Sequence, residues 1–598
     1  MSNLATLEAR VRAALGSEPL DLLIRGVRLV DVFSGRVTET DIGIRAERIV
    51  SIFPSSEAAS RETIEAEGLY ALPGFIDAHI HIESTLLTPA SLSEVIVPTG
   101  TTTLLVDPME VANVAGIEGL EAFFSGVEEL PYRMFVQVSS RVPTAPGLET
   151  TGGDLGIKQV ERILAWPETV SLGELDPSKV LRLSAEHLQK VLAASKLGKI
   201  ANGHAIGLEG AELEAYASVG ITDDHECVTV DQLEARLAVG MAVMIREGSS
   251  ERNLHDLIAG VLERQIDTRH LMFCTDDKHP SDIRREGHIN YNVNEAIRLG
   301  LSPLQAIKIA SINAAEHFRV GHLIGAIAPG RFADILLCAS LDEIRPEMVL
   351  VGGRVVAEGG SLTDDLKPQE FPDWLKRTVR VLADLEPNEF EFPAQGTTVR
   401  LRVIEIVPDQ IFNHLREAEL SIKDGSAQAA PELDVLKLAV VERYGKNGNV
   451  AVGWTKGFGL KRGAIAGSVA HDHHNILVVG TNDEDMLLCV RALEESQGGF
   501  VVAEKGRILE RLPLPIAGLM SELPASEVET QLEKVRTAAA SLGCQLKTPF
   551  MTLSFISLPS IPEAGFSDRG LIDVAKQALI PVRLDGQGKG ASVDSIGM

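Results

Sequence analysis

The sequence predicts an α/β protein: a (β/α)8 barrel of the TIM type, a flanking β-sandwich-like domain built from both sides of the barrel, and an additional C-terminal α+β domain. Three observations lead there. From Ala71 to about Phe318, short apolar, β-rich segments alternate with helical stretches eight times over, the texture of repeated βα units. The stretches on either side, 20–52 and 325–360, share a strand texture and a similar composition. Beyond about residue 396, strands and helices alternate again, without a solenoid period.

In chain order, 3–15 reads as a short helix. LDLLIRGVRLVDVFSGRVTETDIGIRAERIVSI (20–52) then alternates apolar and polar residues, with a turn signal at Ser34-Gly35, as antiparallel strands do. The eight barrel strands fall at 71–80, 101–107, 132–138, 169–174, 200–204, 221–225, 242–246 and 270–276, with helices between them such as 88–97, 209–219 and 230–239. A barrel of this kind carries its active site at the C-terminal strand ends. GAIAPGRFADILLCA (325–339) and MVLVGGRVVAEGG (348–360) return to strand texture, so 1–70 plus 325–375 are expected to form the small β-domain around a barrel at 71–324. The Pro-, Asp- and Glu-rich stretch 361–395 reads as a connector. The C-terminal domain, 390–598, is expected to combine strands at 398–406, 435–442, 449–453, 476–480, 500–504 and 551–557 with helices at 483–494 and 525–542. In the last helix Val528, Leu532, Val535, Ala539 and Leu542 make an apolar stripe at helical spacing.

Composition narrows the partners. Hydrophobic residues make up 45% and charged residues 23% of the 598, a balance that builds aliphatic cores and excludes disorder. Lys plus Arg number 56 against 84 Asp plus Glu, a formal charge of −28, which repels nucleic-acid phosphates and anionic membranes. No nucleic-acid or membrane partner is expected. The five cysteines, Cys227, Cys274, Cys338, Cys489 and Cys544, are scattered without a Cys-x-x-Cys pair, so neither a disulfide framework nor a cysteine zinc cage is expected. The first twenty residues carry two glutamates and no long apolar core, and no run of about 18 apolar residues occurs. A cytoplasmic protein is expected.

The chemistry concentrates at the strand ends. His79 and His81, two apart at the end of the first strand, face the same side and can both offer imidazole nitrogens to one metal. Glu174 ends the fourth strand, His204 the fifth, His225 the sixth and Asp276 the eighth. A satisfied core histidine accounts for His204 or His225 singly, and a barrel-core acid accounts for Glu174 singly; neither accounts for the set. Four imidazoles and two carboxylates suit Zn, Mn or Fe(II) rather than soft ions. Six ligands exceed one tetrahedral ion and match a binuclear centre with Glu174 as the bridge.

These residues in this order resemble the amidohydrolase superfamily, and GAIAPGRFAD (325–334) resembles the strand-rich return segment of such hydrolases. Many members bridge their metals with a carboxylated lysine, where this chain has glutamate. Together with DAHIHIES (77–84), GTTTLLVDPMEVANV (100–114), NGHAIGL (202–208), TDDHE (222–226), IREGS (245–249) and CTDD (274–277), that departure makes the chain similar to the prokaryotic adenine deaminases. SVAHDHHN (468–475) and GTNDEDM (480–486) carry the resemblance into the C-terminal domain. One position differs: the family often reads Asp-Pro-His-Glu, and here Met109 follows Asp107-Pro108.

The resemblance implies hydrolytic deamination of adenine to hypoxanthine and ammonia by a metal-bridging hydroxide at purine C6, in purine salvage. It implies two divalent cations, Mn or Fe(II), with Zn equally permitted by the ligands, and a homo-oligomer. Asp276 would accept the proton of the attacking hydroxide and pass it to the leaving amine. Glu83 would either protonate the ring nitrogen beside C6 or serve as a structural salt-bridge partner. Asp277 is the reserve, because adjacent aspartates leave the assignment open by one position. A hydrolase of another amino-heterocycle or cyclic amide, and a non-catalytic scaffold, are the alternatives. The chain lacks the Pro-Cys-x-x-Cys of zinc deaminases that act on nucleotides. His471, His473 and His474 are expected in a hydrogen-bonded loop or over the barrel mouth, and GQGKGAS (586–592) in a flexible tail without the ending of a phosphate loop.

Overall fold

Pro73 and Gly74 split the first expected barrel strand in two. Proline has no N–H to give a ladder, and a Cβ on Gly74 would stand 2.1 Å from Thr102 Oγ1. Tyr70–Pro73 therefore pairs with Ile335–Cys338 and Leu20–Asp31, while Phe75–Ile80 pairs with Thr101–Val106. The computed structural model describes residues 3–52, 59–381, 385–408, 410–560 and 563–584; GQGKGAS (586–592) lies outside them.

Phe75–Ile80 opens a five-stranded parallel sheet that continues through Thr101–Val106, Arg133–Val138, Thr169–Leu175 and Ile200–Gly203. Asp223–Asp224, Ala242–Arg246 and Leu271–Cys274 form a three-stranded parallel sheet. Parallel bridges Ala201–Ile221 and Ile80–Asp276 join the two sheets at their edges. Strands buried on both faces read as continuous apolar runs, and Ile76, Ala78, Leu105, Val170, Ile200, Met244 and Met272 pack into one core. The expected strand 221–225 keeps only Asp223–Asp224. Backbone N–H groups here bond side chains instead of a neighbouring strand: Gly203 donates to Asp223, and Ala205 and Glu226 donate to Asp224.

The flanking strands form one continuous nine-stranded hydrogen-bonded sheet. The cause is the twelve-residue strand Leu20–Asp31. Its register shifts between Ile24 and Val27, where Gly26 takes φ +70° and donates to Asp41. The first half pairs with Ser60–Glu65 and the second with Tyr70–Pro73, so one continuous sheet results.

The chain divides into two compact units that interleave in sequence. The first comprises 1–142, 153–376 and 514–530; the second comprises 143–152, 377–513 and 531–598. The second contains a nine-stranded sheet whose core of Ala439, Val441, Ala464, Ile476, Val478 and Val501 packs with Met486, Cys489, Val490 and Leu493 of the helix Asp483–Glu495. Of residues 551–557, expected as a strand, 551–555 belong to the helix Pro549–Phe555 and 556–557 to the turn that follows. Proline at the first helical position is preset for a helix and absent from central strands. The stripe Val528, Leu532, Val535, Ala539 and Leu542 is buried along its whole length. The five cysteines are buried and free. Among the described residues no helix is long and apolar enough to cross a membrane.

Candidate metal centre

The six residues expected as ligands all lie at or just beyond the C-terminal ends of parallel strands in the first unit. His79 and His81 alternate onto one face as the first strand ends. Asp276 meets them through backbone rungs: its N–H donates to the His79 carbonyl at 3.0 Å, and the His81 N–H donates to the Asp276 carbonyl at 3.1 Å. Asp276 takes φ +58° to do so, a left-handed conformation that aspartate tolerates better than most residues.

One carboxylate oxygen sits among four imidazoles. Glu174 Oε1 lies 3.0 Å from His79 Nε2, 3.4 Å from His81 Nε2, 3.2 Å from His225 Nε2 and 4.0 Å from His204 Nδ1. Asp276 Oδ1 stands 3.7 Å from His79 Nε2 and 3.5 Å from His81 Nε2. One donor atom each from His79, His81, Glu174 and Asp276 falls within 4.8 Å of the others, and the same holds for Glu174, His204 and His225. All six side chains are buried.

The partners of the histidines fix their tautomers. The Asp107 carbonyl can only accept, so His81 Nδ1, 2.9 Å away, carries the hydrogen. Gln137 donates its amide to the Ala78 carbonyl at 2.9 Å, which turns its oxygen toward His79 Nδ1 at 2.6 Å. Both Nε2 atoms then present lone pairs to Glu174, and two acceptors 3.0 Å apart require a cation between them, a proton or a metal. His204 Nε2 is buried without a hydrogen-bond partner. This donor set fits divalent metal ions.

The charges agree. Burial alone would push Glu174 up, but the Arg141 guanidinium and His204, His225 and His79 hold it well below the usual carboxylate range. Burial opposes protonation of His81, yet Glu110 and Glu174 raise it well above an ordinary histidine. Against its own burial, Asp276 is lowered to about 2 by Arg246 and the neighbouring histidines.

Asp277 does not join the cluster of donors; Ser84 donates to it. Glu83 also lies outside the cluster. Its Oε1 accepts from Val111 N at 3.0 Å and its Oε2 is buried without a partner. Burial and the charge of Glu110 push its carboxyl well up. Met109 is buried and apolar at the start of the helix Met109–Phe123. In the second unit, His473 Nδ1 accepts from Asn475 N at 3.0 Å, His474 Nδ1 accepts from Ala470 N at 3.2 Å, and the His471 carbonyl accepts from Ser557. Gln137, Arg141, Glu226 and Arg246 are the site residues that sequence reasoning misses. For Gln137 and Arg246 the signal is a polar residue inside or at the end of an apolar strand run, as in MFVQV and AVMIR, whereas Arg141 and Glu226 lie beyond the ends of their strands.

Residues 70–356 match the Amidohydrolase family and 410–578 the Adenine deaminase C-terminal domain. Over 581 residues, 97% of this chain and 99% of the other, it is 50% identical to the adenine deaminase of Desulforamulus reducens. The chain belongs to the adenine deaminase family. Another member, the adenine deaminase of Moorella thermoacetica, is 40% identical over 95% of this chain and 97% of its own. Among solved structures, an adenosine deaminase from Xanthomonas campestris with bound zinc aligns at a TM-score of 0.44 and 16% identity, over 58% of this family member and 95% of that chain.

Proposed function

We propose that this chain hydrolyses adenine to hypoxanthine and ammonia. The observation that carries the chemistry is the single Glu174 oxygen enclosed by four buried imidazoles; the choice of substrate rests on near-full-length identity to adenine deaminases. In this reading the two parallel sheets constitute one (β/α)8 barrel closed by the Ala201–Ile221 and Ile80–Asp276 bridges. That barrel spans 71–324, with a small β-domain of 1–70 plus 325–375 and a C-terminal domain at 390–598. A cytoplasmic, homo-oligomeric enzyme of purine salvage that takes a small molecule rather than a nucleic acid belongs to the same reading, consistent with a formal charge of −28.

His79, His81, Glu174, His204, His225 and Asp276 would hold two divalent cations, Mn or Fe(II), with Zn also suited to the donors. Divalent cations held there would make hydroxide available at neutral pH by lowering the pKa of water. Asp276 takes the proton released as water adds to C6. Arg246 keeps this carboxylate ionised and ready to accept, and once protonated it is a strong acid toward the departing amine. Glu83, whose buried carboxyl is pushed well above the usual carboxylate range by burial and the charge of Glu110, delivers a proton from Oε2 to the ring nitrogen beside C6. Burial of the whole cluster keeps bulk water from competing.

Protein purified without chelator, assayed for ammonia release across adenine, guanine, cytosine and hydantoins, tests the substrate: turnover of adenine to hypoxanthine is expected, and silence with adenine would overturn it. Glu174→Gln should lower bound metal and adenine turnover together. Unchanged metal content and rate would remove Glu174 from the centre.

A further inference from the structure

Glu226 follows His225 directly, and by position it qualifies as a ligand. Its Oε1 lies 3.3 Å from His204 Nδ1 and 3.4 Å from His225 Nε2, close to the 3.2 Å that separates Glu174 Oε1 from His225. Donor atoms of His225, Glu226 and Asp276 fall within 4.8 Å of one another. What sets Glu226 apart from Glu174 is Arg246, the last residue of the strand Ala242–Arg246. Its Nη1 donates to Glu226 Oε1 at 2.8 Å and its Nη2 to Glu226 Oε2 at 3.1 Å, a two-pronged pairing. The same Nη1 reaches Asp276 Oδ2 at 2.9 Å.

Of the four oxygens on these two carboxylates, three are thus engaged by a buried guanidinium that does not lose its proton in proteins. The fourth, Asp276 Oδ1, is the one nearest the first-strand histidines. Arg246 is itself fixed: its backbone pairs in register with Cys274 and its carbonyl accepts from Asn253 N at 3.1 Å.

We propose that Arg246 is a positioning residue that withholds Glu226 from the metal ions and presents a single oxygen of Asp276 to them, thereby setting the number of anionic oxygens the centre offers. The inference rests on the metal-centre reading above and goes beyond it, because it assigns a residue that limits ligation. An added carboxylate would harden the donor set and shift preference toward Mn over Zn. It would also occupy coordination positions that water and substrate need.

The test uses the full-length protein loaded with Mn(II), with the rate of metal loss to excess EDTA and the metal-to-protein ratio as readouts beside turnover. Arg246→Met should lose Mn(II) at least about tenfold more slowly than the wild type, the scale on which groups around a metal's ligands tune affinity, while turnover falls. Glu226→Gln in the Arg246→Met background should restore the wild-type rate of metal loss. Arg246→Lys should fall between, since a point charge cannot hold both oxygens of Glu226. Glu226→Gln alone should leave metal loss within about twofold of wild type, a comparison that stands even if Arg246→Met fails to fold. A tenfold faster loss in Glu226→Gln would make Glu226 a ligand and overturn the proposal. So would unchanged or faster loss in a folded Arg246→Met, or slow loss that Glu226→Gln does not reverse. A wild-type protein that binds no divalent cation would sink the centre itself; two bound cations with the wrong variant pattern would sink only the role of Arg246.

Discussion

Gln137→Leu removes the amide that decides which nitrogen of His79 carries hydrogen. Gln137 is fully buried in the strand Arg133–Val138, where it accepts from His79 Nδ1 at 2.6 Å and donates to the Ala78 carbonyl at 2.9 Å. Leucine leaves both partners buried and unsatisfied. At about 1–3 kcal/mol for each orphaned group, the unfolding free energy should fall by about 2–6 kcal/mol. The imidazole also becomes free to hold hydrogen on Nε2, which faces Glu174. Loss of such a partner costs roughly 10–100-fold in metal affinity or activity. Urea unfolding of metal-free protein measures the first effect, and EDTA-driven metal loss with steady-state turnover measures the second. Gln137→Glu separates them: it keeps an acceptor for His79 but loses the donor to Ala78, so stability should drop while metal retention largely survives. Wild-type metal retention in Gln137→Leu, alongside the predicted loss of stability, would reduce this glutamine to a packing role and refute the tautomer argument.

Gly173→Ala should damage the centre through its neighbour: a Cβ there would stand 2.2 Å from Asp107 Oδ2 and 3.1 Å from the Val138 carbonyl. Overpacking of this kind costs about 1–3 kcal/mol, and because the Asp107 carbonyl holds His81, calorimetry should show a lower Tm and kinetics a lower kcat. His187 should make the first unit sensitive to acid. Burial, and then the charge of Lys190, lower it from 6.5 to about 4, against opposing pulls from Glu186 and Asp176. Between those values the unfolded chain binds a proton that the folded chain refuses, so stability falls as pH drops from about 6.5 toward 4. His187→Gln should flatten this part of the stability profile in urea titrations at pH 4.5, 5.5 and 7, and an unchanged slope would assign the acid sensitivity elsewhere.

The βα repeat is legible in the sequence because its strands are buried on both faces and so several appear as apolar runs, as in Leu271–Cys274 and the first four residues of Ala242–Arg246. The convergence of His79, His81, Glu174, His204, His225 and Asp276 is legible for a related reason: polar residues closing apolar runs stand out. The break at Pro73-Gly74 is hidden, since the residues on both sides are apolar and only the close approach of Thr102 demands glycine. Residues 549–555 mislead because Phe550, Thr552 and Phe555 favour strands, while Pro549 and complete burial set a helix. Gln137, Arg141 and Arg246 act through partners supplied by other strands. Pattern along one strand cannot show what lies across the sheet, which is also why adjacent Asp276 and Asp277 are separable only by their contacts.

The seam between the first and last parallel strands has a consequence for how the protein matures. Thr275 donates to Asp77 from both its N–H, at 3.1 Å, and its hydroxyl, at 2.5 Å, across 198 positions of sequence, and the rungs from Asp276 to His79 and His81 lie just beyond. On the ribosome, His79 and His81 emerge long before the strand that completes their surroundings. The full set of donors is therefore assembled only once this stitch is made.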